Sequence, residues 1–284
     1  MSHFAVLVIG ENPEAQLAPF HEFESTGKND QYVQDIDITE DVLSSAGEQG
    51  SLDSALYYHG LEDSIVEDES QINKLEQHKF GYAIVKDGKL IKAVQRTNPN
   101  YQWDWYSLGG RFGGFQLKDK TTSPFALKRN IDFDTAISNE RLEAEMKYDL
   151  FQSFLLDKNL EFPKTWKECK KEHEDIESAR DFYNKQPAVK LITQNSKVSK
   201  LYPLLCCPFD YFGKSKDDFI KRCTESTCVT YAVIKDGKWY SKGKMGWFGL
   251  SSDDVSQADW NAKFWELVNS ASENTLFSLY DCHI

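Results

Sequence analysis

Gly81-Tyr82-Ala83-Ile84-Val85-Lys86-Asp87-Gly88-Lys89-Leu90-Ile91-Lys92-Ala93-Val94 is the stretch on which the fold class turns. Two runs rich in β-branched and aromatic residues flank Asp87-Gly88, a dipeptide that tolerates positive φ at both positions. The stretch therefore predicts a tight type I′ hairpin. Its pattern returns as Tyr231-Ala232-Val233-Ile234-Lys235-Asp236-Gly237-Lys238-Trp239, and each copy runs on to a cluster of glycines and aromatics. Either Lys-Asp-Gly-Lys is a common turn used twice, or the chain carries two related β-units from an old duplication.

Working outward, residues 3–9 read as a strand buried on both faces, and residues 275–284 alternate as a last strand. The stretch Ala55-Leu56-Tyr57-Tyr58 is a further candidate strand in an otherwise loop-like or weakly helical region. Between the hairpins the spacing turns helical. Leu142, Met146, Leu150 and Phe154 recur every four residues, with Tyr148, Phe151 and Leu155 widening the stripe. Thr165 and Glu168 form a capping box, and a helix over residues 175–183 is halted before Pro187. Residues 187–214 read as a linker, followed by a short helix capped by Ser215. A last helix starts near Ser256 and buries Trp260, Phe264, Leu267 and Val268. The fold class is α+β: a mainly antiparallel sheet of ferredoxin-like split units, with covering helices and a helical insertion. The expected divisions are a β-rich part with an acidic insertion at 1–130, a helical insertion at 131–200, and a part completing the same sheet at 201–284.

The chain has 284 residues, 40% of them hydrophobic, and a formal net charge of −12. That is a folded chain with a sizeable core, not a disordered one. Residues 11–70 hold sixteen acids and a single Lys28, so the rest of the chain is slightly basic. This segment is expected to be repelled by nucleic-acid phosphates, which argues against direct DNA or RNA binding there. It is either a solvated acidic loop or an acidic face that attracts a basic partner. No apolar run is long enough to span a bilayer and no leader precedes residue 3, so a cytoplasmic protein without membrane contact is expected. Six cysteines lack paired spacing and are expected as free, buried thiols without zinc.

Candidate chemistry gathers in Trp103-Asp104-Trp105-Tyr106-Ser107-Leu108-Gly109-Gly110-Arg111-Phe112-Gly113-Gly114-Phe115. Glycines allow close backbone approach, indoles give stiff walls, and an arginine among them is suited to clamp a carboxylate or phosphate. Trp103, Asp104, Trp105, Gly109, Gly110 and Arg111, with Trp247 and Phe248 from the second cluster, are the expected ligand- or partner-binding residues. The alternative for Arg111 is a structural ion pair, and for the aromatics a place in the core. The two end strands bring His3 and His283 together if they pair antiparallel. With His21 these form a candidate divalent-metal site; the alternative is that they satisfy buried carbonyls. No other cofactor is required. Phosphate-loop, dinucleotide, serine-elbow and zinc-protease motifs are absent, so no catalytic residues are assigned.

The opening Met1-Ser2-His3-Phe4-Ala5-Val6-Leu7-Val8-Ile9-Gly10, Asn12-Pro13-Glu14, the run Leu17-Ala18-Pro19-Phe20-His21-Glu22-Phe23-Glu24, Arg96-Thr97-Asn98-Pro99-Asn100, Trp103-Asp104-Trp105-Tyr106, Gly109-Gly110-Arg111-Phe112, Met245-Gly246-Trp247-Phe248-Gly249 and the closing Asp281-Cys282-His283-Ile284 together resemble a family of proteins encoded by bacteriophages and prophages. The likeness spans the chain. It implies a phage origin and action inside the infected cell, and names no activity. The expected function is an accessory protein that binds a host factor, such as a component of host defence. The alternative is a small anionic ligand: a nucleotide sponge, or a metal-assisted phosphoesterase using Arg111 and the histidines.

Overall fold

The computed structural model describes residues 2–22, 30–74, 76–195, 197–203, 206–245 and 251–284. The chain is α+β and divides into two compact units, one of residues 1–117, 121–130 and 230–284, the other of 118–120 and 131–229.

In the first unit, β1 (His3–Ile9) is the centre of a six-stranded sheet. It pairs in parallel with β10 (Ala232–Lys235) and antiparallel with β14 (Leu276–His283). Strand β11 (Lys238–Ser241) hairpins back onto β10, while β6 (Trp105–Leu108) and β9 (Phe125–Leu127) both pair with β14. Strands β11 and β14 therefore run the same way. They are joined through α10 (Gln257–Asn269) with β10 and β1 between them, which is a split β-α-β unit. Helix α10 starts at the Ser256 cap and buries the four residues its spacing indicates. One sheet face packs Phe4, Val6 and Val8 with Tyr280, Cys282 and Leu17 of α1 (Pro13–Leu17).

The first hairpin belongs to a second sheet, ordered β2 (Gln34–Asp37), β5 (Lys89–Thr97), β4 (Gly81–Lys86), β3 (Ile65–Val66). Both turns use aspartate and glycine at positive φ: 49° and 74° at Asp87 and Gly88, 53° and 69° at Asp236 and Gly237. In each sheet the first hairpin strand also carries a parallel neighbour, β3 beside β4 and β1 beside β10. The described part of the acidic segment is not a loop. It supplies β2, β3, α2 (Thr39–Gln49) and α3 (Leu52–Tyr58), which bury Val42, Ala55 and Leu56 against Ala83 and Ala93. Residues 55–58 are thus helical rather than extended, because Ser51 caps the helix by accepting from Ser54 N–H, and Leu52, Ala55 and Leu56 share one face. Two short ribbons, β7 (Phe115–Gln116) with β8 (Thr122–Ser123) and β12 (Gly243–Met245) with β13 (Ser251–Asp253), complete this unit.

The second unit is helical among its described residues: α4 (Phe133–Leu156), α5 (Trp166–Glu172), α6 (Ile176–Lys185), α7 (Pro187–Gln194), α8 (Pro208–Phe212) and α9 (Lys216–Ser226). The stretch expected as a linker holds α7 and α8, each opened by a proline in its first turn, where a missing N–H costs nothing. The helical region accordingly runs to residue 229 instead of stopping at 200. Helix α4 buries Ala144, Tyr148, Phe151 and Leu155, while Leu142, Met146 and Leu150 are exposed. The four-residue repeat points to the wrong face. The helix is apolar on more than one side, and the ring stack of Phe151 on Phe212 selects which side is covered.

All six cysteines are free, but only Cys169 and Cys282 are buried; Cys206 is exposed. Burial pushes both buried thiols up from the ordinary thiol value, so they hold little thiolate near neutrality. A thiol reagent at pH 8 is expected to label Cys206 in the native protein and to reach Cys169 and Cys282 only in denaturant. Mass spectrometry of the labelled peptides reads the order, and early labelling of Cys282 would contradict it.

Candidate functional site

The β1–β14 register sets His3 directly opposite His283. Their rings meet edge to face, with centroids 5.0 Å apart. Each is backed by a carboxylate: His3 Nδ1 lies 2.9 Å from Asp281 Oδ1, and His283 Nδ1 lies 2.7 Å from Asp104 Oδ1. A carboxylate only accepts, so Nδ1 carries the proton in both rings. His283 is 8% exposed, and its Nε2 is buried without a partner among the described residues. His21 Nε2 donates to the carbonyl of Asp104 at 2.8 Å, and its ring stacks on Trp103 with centroids 4.4 Å apart.

The three histidines therefore collect around Asp104 and Asp281, but not as the expected metal site. Among the described residues no group of three or more His, Cys, Asp or Glu side chains stands in metal-holding geometry. One nitrogen of each ring is taken by an internal hydrogen bond: Nδ1 of His3 by Asp281, Nδ1 of His283 by Asp104, and Nε2 of His21 by the Asp104 carbonyl.

The glycine loop is built on Asp281, which is 2% exposed. Arg111 N–H donates to Asp281 Oδ2 at 3.0 Å, while Oδ1 receives His3. Gly110 has φ +46°, and a Cβ there would overlap Asp281 and the Ser107 hydroxyl; a Cβ at Gly114 would overlap the Ser123 carbonyl. The glycines thus serve close packing of a turn onto a buried carboxylate. What the turn presents is different: Arg111 and Phe112 are exposed, and the guanidinium has no acidic partner among the described residues.

The two tryptophans part company. Trp103 is 4% exposed and belongs to the core with Tyr106 and Tyr280, so its expected place on a binding surface is corrected. It precedes β6 and bridges to His21, which turns it under the sheet. Trp105 is 56% exposed. Trp247 and Phe248 lie outside the described residues.

Trp105, Asp104 and His21 line a cleft of about 680 Å³ together with Phe80, Arg96 and His59. Fully buried Asn98 fixes the segment that carries His21 by donating to the carbonyls of Pro19 and His21, at 2.7 and 2.8 Å. Arg96 Nε lies 2.7 Å from Asp35 Oδ1. Burial alone would raise the Asp35 carboxyl, yet Lys74 and Arg96 outweigh it and hold it below the usual range.

Asp281 and Arg96 are not among the expected site residues. For Asp281 a signal exists: Asp281 and His283 are two apart on a strand and so share a face. For Arg96, Phe80 and His59 there is none, because the cleft arises from tertiary placement of separate segments. Compared with known protein families, curated proteins and solved structures, the chain matches none.

Proposed function

We propose that this is a phage-encoded accessory protein that works inside the host cell by binding a host protein, a defence component being the setting that the sequence resemblance suggests. The observation that carries the reading is the contrast within one turn. Its backbone is pinned to buried Asp281, while Trp105, Arg111 and Phe112 are held out to solvent. Tryptophan and arginine dominate interface hot spots, and a turn that is already ordered loses little entropy on binding. No helix of the described residues is long and apolar enough to cross a membrane.

The test is crosslinking and mass spectrometry from infected cells, with wild type beside an Arg111→Ala/Phe112→Ala variant. Both side chains are exposed, so the variant is expected to keep its melting temperature and to recover the partner roughly tenfold less well. Equal recovery would remove this surface from the function. The second reading, a small anionic ligand such as a nucleotide, draws support from the Arg111 guanidinium, which no acid among the described residues engages. It requires AMP binding that Arg111→Ala abolishes.

A further inference from the structure

We infer that the cleft between Trp105 and Arg96 is a receptor for a basic segment of the partner, one that inserts arginine or lysine side chains; this rests on the partner-binding reading above. The cleft, about 680 Å³, is large enough for several side chains and within the usual range of binding sites.

Its chemistry selects a cation. Asp104, with its side chain 40% exposed, is held from two sides. Its N–H donates to the His283 carbonyl at 2.9 Å, its carbonyl receives His21, and its Oδ1 receives His283 Nδ1. Its Oδ2 has no partner among the described residues and is the ready acceptor. Glu22 also lines the cleft. The Trp105 ring offers a face for a guanidinium or ammonium. Arg96 does not oppose this, because Asp35 and the Lys74 carbonyl already occupy it.

The surroundings agree. Residues 31–73 contain eleven acids and neither lysine nor arginine, and His59 and Leu61 of that stretch line the cleft. Such a field draws basic chains in and turns phosphates away. A nucleotide is therefore the poorer occupant.

The experiment titrates the full chain with an acetylated, amidated hexa-arginine peptide, using calorimetry and tryptophan fluorescence, with hexa-glutamate and AMP as comparators. Hexa-arginine is expected to bind and the comparators not. Trp105→Ala and Asp104→Asn are each expected to weaken binding roughly tenfold or more. The asparagine side chain keeps an oxygen for His283, and Trp105 is exposed, so one of the two variants at least reports on a folded protein. Tyr57→Ser, on an exposed face of α3, is expected to leave affinity unchanged. Binding that ignores Trp105 and Asp104, or that the Tyr57 change weakens equally, would overturn the inference and leave a diffuse electrostatic attraction. AMP in place of the peptide would overturn it too. Arg111 and Phe112 do not line the cleft, so failure of their variant in the crosslinking test and failure here are separate results.

Discussion

Asp281→Ala is expected to destabilise the protein by about 2–5 kcal/mol, the cost of leaving two donors without their acceptor. The aspartate is sealed beneath the glycine turn, with His3 Nδ1 on one oxygen and Arg111 N–H on the other. Alanine leaves both donors facing a void, and an orphaned donor alone costs about 1–3 kcal/mol. The turn would then lose the group that holds Arg111 and Phe112 in place, so partner binding is expected to fall along with stability. Chemical denaturation followed by circular dichroism measures the first effect. Asp281→Asn, which keeps one acceptor oxygen, is expected to fall between wild type and alanine. A loss under about 1 kcal/mol for Asp281→Ala would show that the turn is held by something other than this carboxylate.

Phe212→Ala is expected to cost the helical unit about 3–5 kcal/mol. Phe212 is fully buried at the end of α8, stacks on Phe151 at 4.1 Å between centroids, and touches Phe219 at 5.1 Å. Removing the ring opens a cavity at the meeting of α4, α8 and α9, and Tyr148, also edge-on to Phe212, loses its packing. Equilibrium unfolding monitored by near-ultraviolet dichroism reads the loss. A change below about 2 kcal/mol would mean that the neighbouring rings close over the gap.

The parts of the fold legible in the sequence are those set by local chemistry. Asp87-Gly88 and Asp236-Gly237 fix their turns through backbone conformations that few other pairs adopt. Ser256, Ser215 and the Thr165–Glu168 box announce helix starts by satisfying amides within three residues. What depends on distant partners is not legible. Nothing in α4 itself says that Tyr148 and Phe151, not Met146 and Leu150, meet other helices. The candidate site divides the same way. Arg111 and Trp105 are exposed, as the sequence leads one to expect, whereas Trp103, of the same type two positions earlier, is turned inward by its bridge to His21. The histidines are expected together because both end strands carry one. Their carboxylate partners come from β14 itself and from a segment more than a hundred residues away, and only the folded arrangement shows that these hold the Nδ1 atoms of His3 and His283.

The central strand β1 carries a kinetic consequence. Its neighbours, β10 and β14, are supplied more than 220 residues later in the chain. During synthesis this apolar strand is made before both its partners and waits, unpaired, while the whole helical unit is translated. Sheets closed by such remote segments assemble slowly, and the waiting edge is the natural point for aggregation or for a chaperone to hold. Yield in cells should therefore respond to translation speed and chaperone supply more steeply than its helical content would suggest.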